Sequence, residues 1–233
     1  MPREGLRRSA SGRKRLQPAI SLDQVRRGIR MKLYDGGRAP NPRRVRIYLA
    51  EKGIAVPTEP IDLGSMQHKS AAYAAINPLM RVPALVLDDG TVITETIAIC
   101  RYFESLHPAP PMFGEGGLEQ AMVEMWTRRV EQNLFFPITQ VFRHLHPAMK
   151  PMEVPQVAEW GEANKARVAD FLPILDRQLQ GRRFVAGTHY SVADITALVA
   201  VDFMKPAKLA VAPEHGNVLR WHAEVSARPS AGA

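Results

Sequence analysis

Asn77-Pro78-Leu79-Met80-Arg81-Val82-Pro83-Ala84-Leu85, followed by Asp88-Asp89-Gly90 and by Thr94-Glu95-Thr96-Ile97-Ala98-Ile99, is the stretch whose reading decides the fold. A loop closes in Val82-Pro83, the apolar run Ala84 to Leu87 predicts a strand, Asp88-Asp89-Gly90 turns it, Thr91 to Ile93 returns, and a helix starts at Thr96. That order sets a helix N-terminus beside an X-Pro loop. The free N–H groups of such a terminus, with the Thr96 hydroxyl, suit a ligand carboxylate, and Glu95 beside them suits a ligand ammonium. Singly, Pro83 reads as a turn proline and Thr96 as a helix N-cap. As an ordered set they read as a small-molecule site built from backbone.

Together these residues resemble the glutathione-site half of the glutathione transferase family, which carries N-P-x-x-x-V-P and then D-D-G-x-x-x-x-E-[ST]-x-A-I. The resemblance implies a fold class of an α/β thioredoxin-like N-terminal domain followed by an all-α helical C-terminal domain. It also implies glutathione as co-substrate. Val82, before a cis Pro83, would pair through its backbone with the cysteinyl part, and Glu95 and Thr96 would hold the γ-glutamyl end.

The chain has 233 residues, enough for a full core, and is 45% hydrophobic, with no apolar run near the ~18 residues of a membrane span. A single cysteine, Cys100, excludes an internal disulfide and fits a reducing, cytoplasmic setting; it lies on the predicted helix after Thr96, where a free Cys reads as a small core hydrophobe. No clustered Cys or His implies a metal site.

The net charge of +8 is concentrated at the start, where residues 1–30 hold nine Lys or Arg against two acidic residues, leaving 22 against 21 in the remainder. A body near neutrality with a basic arm carries no basic stripe, so no nucleic-acid partner is expected. The arm reads as a solvated extension, a targeting peptide, or upstream sequence not meant to be translated; we expect a disordered or mis-started extension and leave it out of the fold argument.

From Met31 the pattern predicts strand, helix, strand, helix, strand, strand, helix. Met31 to Tyr34 is the first strand, Asn41 and Pro42 are the expected N-cap and first residue of a helix ended by Lys52-Gly53, and Ile54 to Ile61 is a second, parallel strand. Residues 31–107 are thus the expected glutathione-binding domain. His107 to Gly117, rich in Pro and Gly, is the linker, with the break at 108–117. Residues 118–233 read as all-helical, with helices at about 118–147, 153–180, 191–205 and 216–227. Pro137 and Pro173 are expected to kink the first two. Ser191-Val192-Ala193-Asp194 is a capping-box start and resembles the family's structural S-x-x-D box.

Conjugation needs the glutathione thiol as thiolate, and an unperturbed thiol of pKa ~8.5 is only a few per cent ionised at pH 7. The family usually supplies a Tyr, Ser or Cys. Here the loop between Tyr34 and Val45 has no Ser, Thr or Cys; it reads Arg38-Ala39-Pro40-Asn41-Pro42-Arg43-Arg44. A bacterial branch carries T-P-N-G there, so Ala39 replaces its Thr while Asn41 matches its Asn. Asn41 is the candidate thiol-site residue and Tyr34 the runner-up; a capping Asn and a core Tyr are their plain structural readings.

Gln67, His68 and Lys69 match the family position that contacts the glycyl carboxylate, with Arg38 and Arg81 as further candidates. The acceptor site is expected along the first long helix of the second domain, at Trp126, Arg129, Asn133, Phe136, Ile138, Phe142, His144 and His146, most of them core or dimer interface. Trp126, Arg129, Phe142 and His146 are the candidates for contact with a small hydrophobic electrophile. The resemblance further implies a homodimer and a role in detoxification. Two functions fit: a glutathione transferase or glutathione-dependent disulfide or peroxide reductase, and a non-catalytic glutathione-binding or interaction protein, favoured by the missing hydroxyl at Ala39.

Overall fold

The computed structural model describes residues 31–233. The basic segment 1–30, and the expectation placed on it, lie outside the described residues.

Strand β1 (Lys32–Asp35) leads through a Gly-Gly loop into helix α1 (Pro40–Glu51), which returns to β2 (Thr58–Pro60). A 3-10 turn (Gln67–Lys69) and the short α2 (Ala71–Ala74) precede the hairpin of β3 (Ala84–Val86) and β4 (Val92–Thr94), and α3 (Thr96–Leu106) closes this half. The sheet has the order β2-β1-β3-β4, with β1 parallel to β2 and antiparallel to β3, and β3 antiparallel to β4. This is the thioredoxin-like arrangement. Leu33 and Leu85 pair across it and are fully buried, as are Val45, Ile47 and Tyr48 of α1 and Ile99 of α3.

The second strand is shorter than the expected Ile54 to Ile61. The Ile54 N–H is taken by the Leu49 carbonyl at 2.9 Å, closing the end of α1 beyond Gly53, whose φ of +64° suits glycine. The chain joins the sheet edge only from Pro57, whose carbonyl accepts from Leu33 N–H at 2.9 Å.

The rest is helical: α4 (Gly116–Val130), a π turn (Glu131–Phe135), α5 (Phe136–Leu145), α6 (Ala158–Leu179), α7 (Val192–Met204) and α8 (Gly216–Ser226), with short 3-10 turns at Pro147–Met149 and Pro229–Gly232. The expected 118–147 helix is divided at the π turn because Pro137 has no N–H for the carbonyl of Asn133. The third long helix starts at Ala158, later than expected, with Val157 extended as its cap. Pro173 lies on an exposed face inside α6.

Helix α7 is the axis of this half, buried without a break from Val192 to Val201. Its capping box forms as predicted, and the fully buried Asp194 carboxylate accepts from Val185 N–H (2.9 Å), Ser191 N–H (3.1 Å), Ser191 Oγ (3.2 Å) and Trp221 Nε1 (2.9 Å). Burial still wins over these four bonds and pushes the Asp194 carboxyl up to about 6.

Candidate active site

Two loops and two helix starts lie at one end of the sheet, where β1 and β4 finish and β3 begins. The first loop follows β1. The Asp35 carboxylate, buried at the strand end, accepts from the N–H of Gly37 at 2.6 Å and is gripped by the Arg46 guanidinium at 2.7 and 2.6 Å. Gly36 is where this loop touches the second: a Cβ there would lie 2.6 Å from Cγ2 of Val82 and 3.1 Å from Cδ1 of Leu63. Only a residue without a side chain lets the loop run against Val82.

The second loop is held from below by two buried side chains. The Asn77 amide donates to the Arg81 carbonyl at 2.7 Å, and Tyr73 donates to the same oxygen at 2.8 Å. Asn77 Oδ1 takes the Leu79 N–H at 3.0 Å. The motif's Asn therefore serves to fix the backbone ahead of Val82, and its helper Tyr73 carries no sequence signal beyond an apolar spacing. The Val82–Pro83 bond is cis, as the resemblance implies. Arg81 is exposed.

At the start of α3 the cap is Glu95, not Thr96. Glu95 has φ 67° and ψ 124° and caps nothing with its exposed side chain, while Thr96 is the first helical residue and is buried. Such a backbone costs a non-glycine residue about 1–3 kcal/mol, and strain of this kind gathers at functional sites. The carboxylate of Glu95 is thereby left available beside the N–H groups of α3.

At α1 the expected N-cap was Asn41. The cap is Ala39, in the extended conformation that the following proline imposes, so Pro40 is the first helical residue, Asn41 the second and Pro42 the third. Both prolines lack an N–H. Of the donors that a helix normally leaves free in its first turn, Ala39 N–H is taken by Gly36 (3.3 Å), and only those of Asn41 remain. The Asn41 side chain is oriented by Arg44, one turn on, whose Nη1 lies 3.4 Å from Asn41 Oδ1. A guanidinium has no acceptor, so the amide must turn its oxygen inward and its NH₂ outward.

Tyr34, in β1, packs its half-buried ring edge-on to Tyr73 at 6.0 Å. Gln67 Oε1 is occupied by the Asp62 N–H at 2.9 Å, and Lys69 is exposed. His68 is buried, and its Nδ1 has no partner among the described residues; burial, then the charges of Lys69 and Arg143, hold its pKa below the usual histidine range. Arg143 belongs to α5. On α5, Phe142 stacks on His146 at 4.8 Å and meets Phe203 of α7 edge-on at 5.1 Å. Trp126 of α4 is buried, with the exposed Arg129 over its ring at 5.0 Å. Ile138 is core, and Asn133 faces a cavity of about 310 Å³ between the π turn and α6. His144 Nδ1 accepts from Val157 N–H at 3.0 Å.

The sequence did not expose what fastens α1. Arg43 donates to Asp202 at 2.6 Å and to the Ala231 carbonyl at 2.9 Å; Asp202 also holds His222 at 2.6 Å. Arg228 forks onto Glu51 at 2.7 Å through both nitrogens, and Ser230 bonds the same carboxylate. Cys100 is buried in α3, and burial pushes its thiol up to about 12, so it supplies no thiolate near neutral pH.

Comparison with known proteins agrees with this geometry. Residues 39–106 match the family model "Glutathione S-transferase, N-terminal domain", and residues 134–229 match "Glutathione S-transferase, C-terminal domain". Glutathione S-transferase 2 of Saccharomyces cerevisiae is 37% identical over 205 residues, covering 86% of this chain and 88% of that protein. The chain belongs to the glutathione S-transferase family. The crystal structure of Gtt2 from Saccharomyces cerevisiae superposes with a TM-score of 0.83 at 35% identity, over 86% of this chain and 98% of that one. That of a glutathione S-transferase domain-containing protein from Marinobacter aquaeolei VT8 gives 0.83 at 36% identity, over 85% and 98%. Glutathione is the co-substrate of this transferase family. Among the described residues no helix is long and apolar enough to cross a membrane.

Proposed function

We propose that this transferase ionises glutathione with Asn41 and directs the thiolate at a small hydrophobic electrophile. The observation that carries the reading is the α1 terminus: two prolines strip it of other donors, and Arg44 turns the Asn41 NH₂ outward. Lowering a thiol by about 2 pKa units takes ~2.7 kcal/mol. An amide donor to a charged sulfur supplies about 1.5–3 kcal/mol. The helix terminus, reduced here to one free N–H, adds less than its usual limit of ~1 kcal/mol. The amide therefore carries most of the shift.

In this reading the Val82 backbone pairs with the cysteinyl unit, Glu95 takes the γ-glutamyl ammonium, and Thr96 with the N–H groups of α3 takes its carboxylate. Gln67, His68, Lys69 and Arg81 serve the glycyl carboxylate, with Lys69 and Arg81 as the exposed cations. Phe142 and His146 line the acceptor side, with Arg129 as a further candidate over the buried Trp126. The thiol proton passes to solvent, the sulfur forms a C–S bond with the electrophile, and the leaving group departs with its electron pair. Tyr34 is the alternative donor, and its packing on Tyr73 supports a structural role. Reduction of a disulfide or peroxide by glutathione is the other reaction open to the same thiolate. The Ala39-Pro40-Asn41-Pro42 loop supports a proposed kinship with the T-P-N-G type transferases, and a cytoplasmic homodimer acting in detoxification is the setting proposed with it. The lack of a hydroxyl at Ala39 favours the one competing reading, a non-catalytic glutathione-binding protein.

Calorimetric titration of glutathione into the full chain, in two buffers of different ionisation enthalpy, tests this. The expected result is binding with a proton released. Binding without release, or none, refutes thiol activation.

A further inference from the structure

We infer that Arg44 is a positioning residue for thiol activation, a buried guanidinium that fixes the orientation of the Asn41 amide and places a positive charge behind it. The inference rests on the proposed role of Asn41 and extends it to a residue that touches no substrate.

Arg44 is costly where it lies. Its side chain is 2% exposed, and its Nε has no partner among the described residues. Nη1 is shared between Asn41 Oδ1 at 3.4 Å and Glu131 Oε1 at 3.0 Å, and Nη2 donates to Thr196 Oγ1 at 3.1 Å. The Thr196 hydroxyl donates to the Val192 carbonyl at 2.8 Å, which leaves its oxygen free to accept from Arg44. Replacing a buried ion pair by apolar residues of similar volume is often neutral or stabilising, so packing alone gives no reason for an arginine here.

The π turn contributes two contacts to this side chain. It supplies Glu131 at its first position and Phe135 at its last, and the Phe135 ring lies 5.3 Å from the guanidinium. A regular α-helix through 131–135 would carry these two residues at a different relative angle. Arg128 lies 3.5 Å from the second oxygen of Glu131, and the titratable Cys100 of α3, which also faces Arg44, is neutral at ordinary pH. Glu131 is 27% exposed and therefore partly hydrated, while Arg44 is not, so the guanidinium's field is incompletely cancelled on the side of Asn41.

The test is the pKa of enzyme-bound glutathione, read from the ultraviolet absorbance of the thiolate against pH, in the full chain and in Asn41→Ala, Arg44→Met, Glu131→Gln and Asn41→Ala/Arg44→Met variants. Arg44→Met is expected to raise that pKa by about one unit, a tenfold loss of thiolate below it, with the Kd of glutathione within about twofold. The double variant is expected to match Asn41→Ala alone, because Arg44 acts through that amide. Glu131→Gln keeps an acceptor but removes the opposing charge, so it lowers the pKa or leaves it in place. A merely structural Arg44 would make both substitutions disturb the site in the same direction. Arg44→Met leaving the pKa unchanged, adding fully to Asn41→Ala, or Glu131→Gln raising the pKa overturns the inference. If Arg44→Met does not fold, the sign of the Glu131→Gln shift decides. If Asn41→Ala itself leaves the pKa unmoved, the reading of Asn41 fails first, a result distinct from failure of Arg44 alone.

Discussion

Gly36→Ala is the sharpest perturbation of the loop geometry. Gly36 does not adopt a left-handed backbone, so alanine meets no conformational penalty, and the whole effect is steric. The new Cβ would lie 2.6 Å from Val82 Cγ2, 3.1 Å from Leu63 Cδ1 and 3.4 Å from Leu63 Cγ. Carbon atoms settle about 3.5–4.0 Å apart, so the two loops must part by roughly 1 Å. Over-packing of this kind costs about 1–3 kcal/mol of stability. The functional cost is larger, since a misplacement near 1 Å in a reacting assembly loses about 10²-fold in rate. The assay is kcat/KM with an activated chloronitrobenzene, together with glutathione affinity by calorimetry and a urea unfolding curve. We expect a loss of about 10- to 100-fold in kcat/KM and a stability loss inside the stated range. Gly36→Ala/Val82→Ala, which removes Cγ2, should recover a large part of the activity because glutathione would use only the backbone of Val82. Unchanged affinity and kcat/KM in a folded Gly36→Ala protein would refute the claim that this contact sets the site. A double variant no better than the single one would show that Leu63, not Val82, is what the methyl meets.

Other substitutions test separate parts. Glu95→Gln should weaken glutathione binding by about 10- to 100-fold, the worth of a charged hydrogen bond, with the melting temperature little changed because the side chain bonds none of the described residues; a lower melting temperature with full affinity would assign Glu95 to the fold. Asp194 has a folded pKa above its ordinary value, so the unfolded chain loses its proton first as pH rises, and the contribution of this carboxyl to stability declines between pH 3.8 and about 6. That window corresponds to about 3 kcal/mol. The stability advantage of the native protein over Asp194→Asn should therefore shrink from pH 4 to pH 7 in urea unfolding, and a constant difference would contradict it. Asp202→Asn removes the carboxylate shared by Arg43 and His222 and should cost about 1–3 kcal/mol, measured by the same method. Burial alone would raise the Asp202 pKa, but the bonds from His222 and Arg43 outweigh it and hold it low, so this contribution is present at neutral pH and is lost only in acid.

The parts that were legible in the sequence are those whose signal is local. Asp88-Asp89-Gly90 between two short apolar runs gives the hairpin, and Ser191 with Asp194 three residues later gives the cap of α7. The His107 to Gly117 segment breaks every period, and the helices around it end at Leu106 and begin again at Gly116. The errors are local signals outweighed by a neighbour. Asn41 has the composition of an N-cap, yet Pro40 before it forces Ala39 into the extended state and moves the cap two residues back. The helix does start at Thr96 as expected, but its cap, Glu95, has an unusual backbone that no propensity predicts.

What the chain determined by itself is the order of elements, the hairpin, the X-Pro turn and the family resemblance, because turn chemistry, capping and hydrophobic period act within a few residues. Only the folded protein brings Gly36 against Val82, Tyr73 beneath the Arg81 carbonyl, and Arg44 between Asn41, Glu131 and Thr196. Arg44 and Glu131 are 87 positions apart, and Arg43 and Ala231 are 188 apart. Such contacts depend on packing two halves of the chain together, and the sequence pattern at Arg43, Arg44 and Glu131 is that of ordinary surface charges.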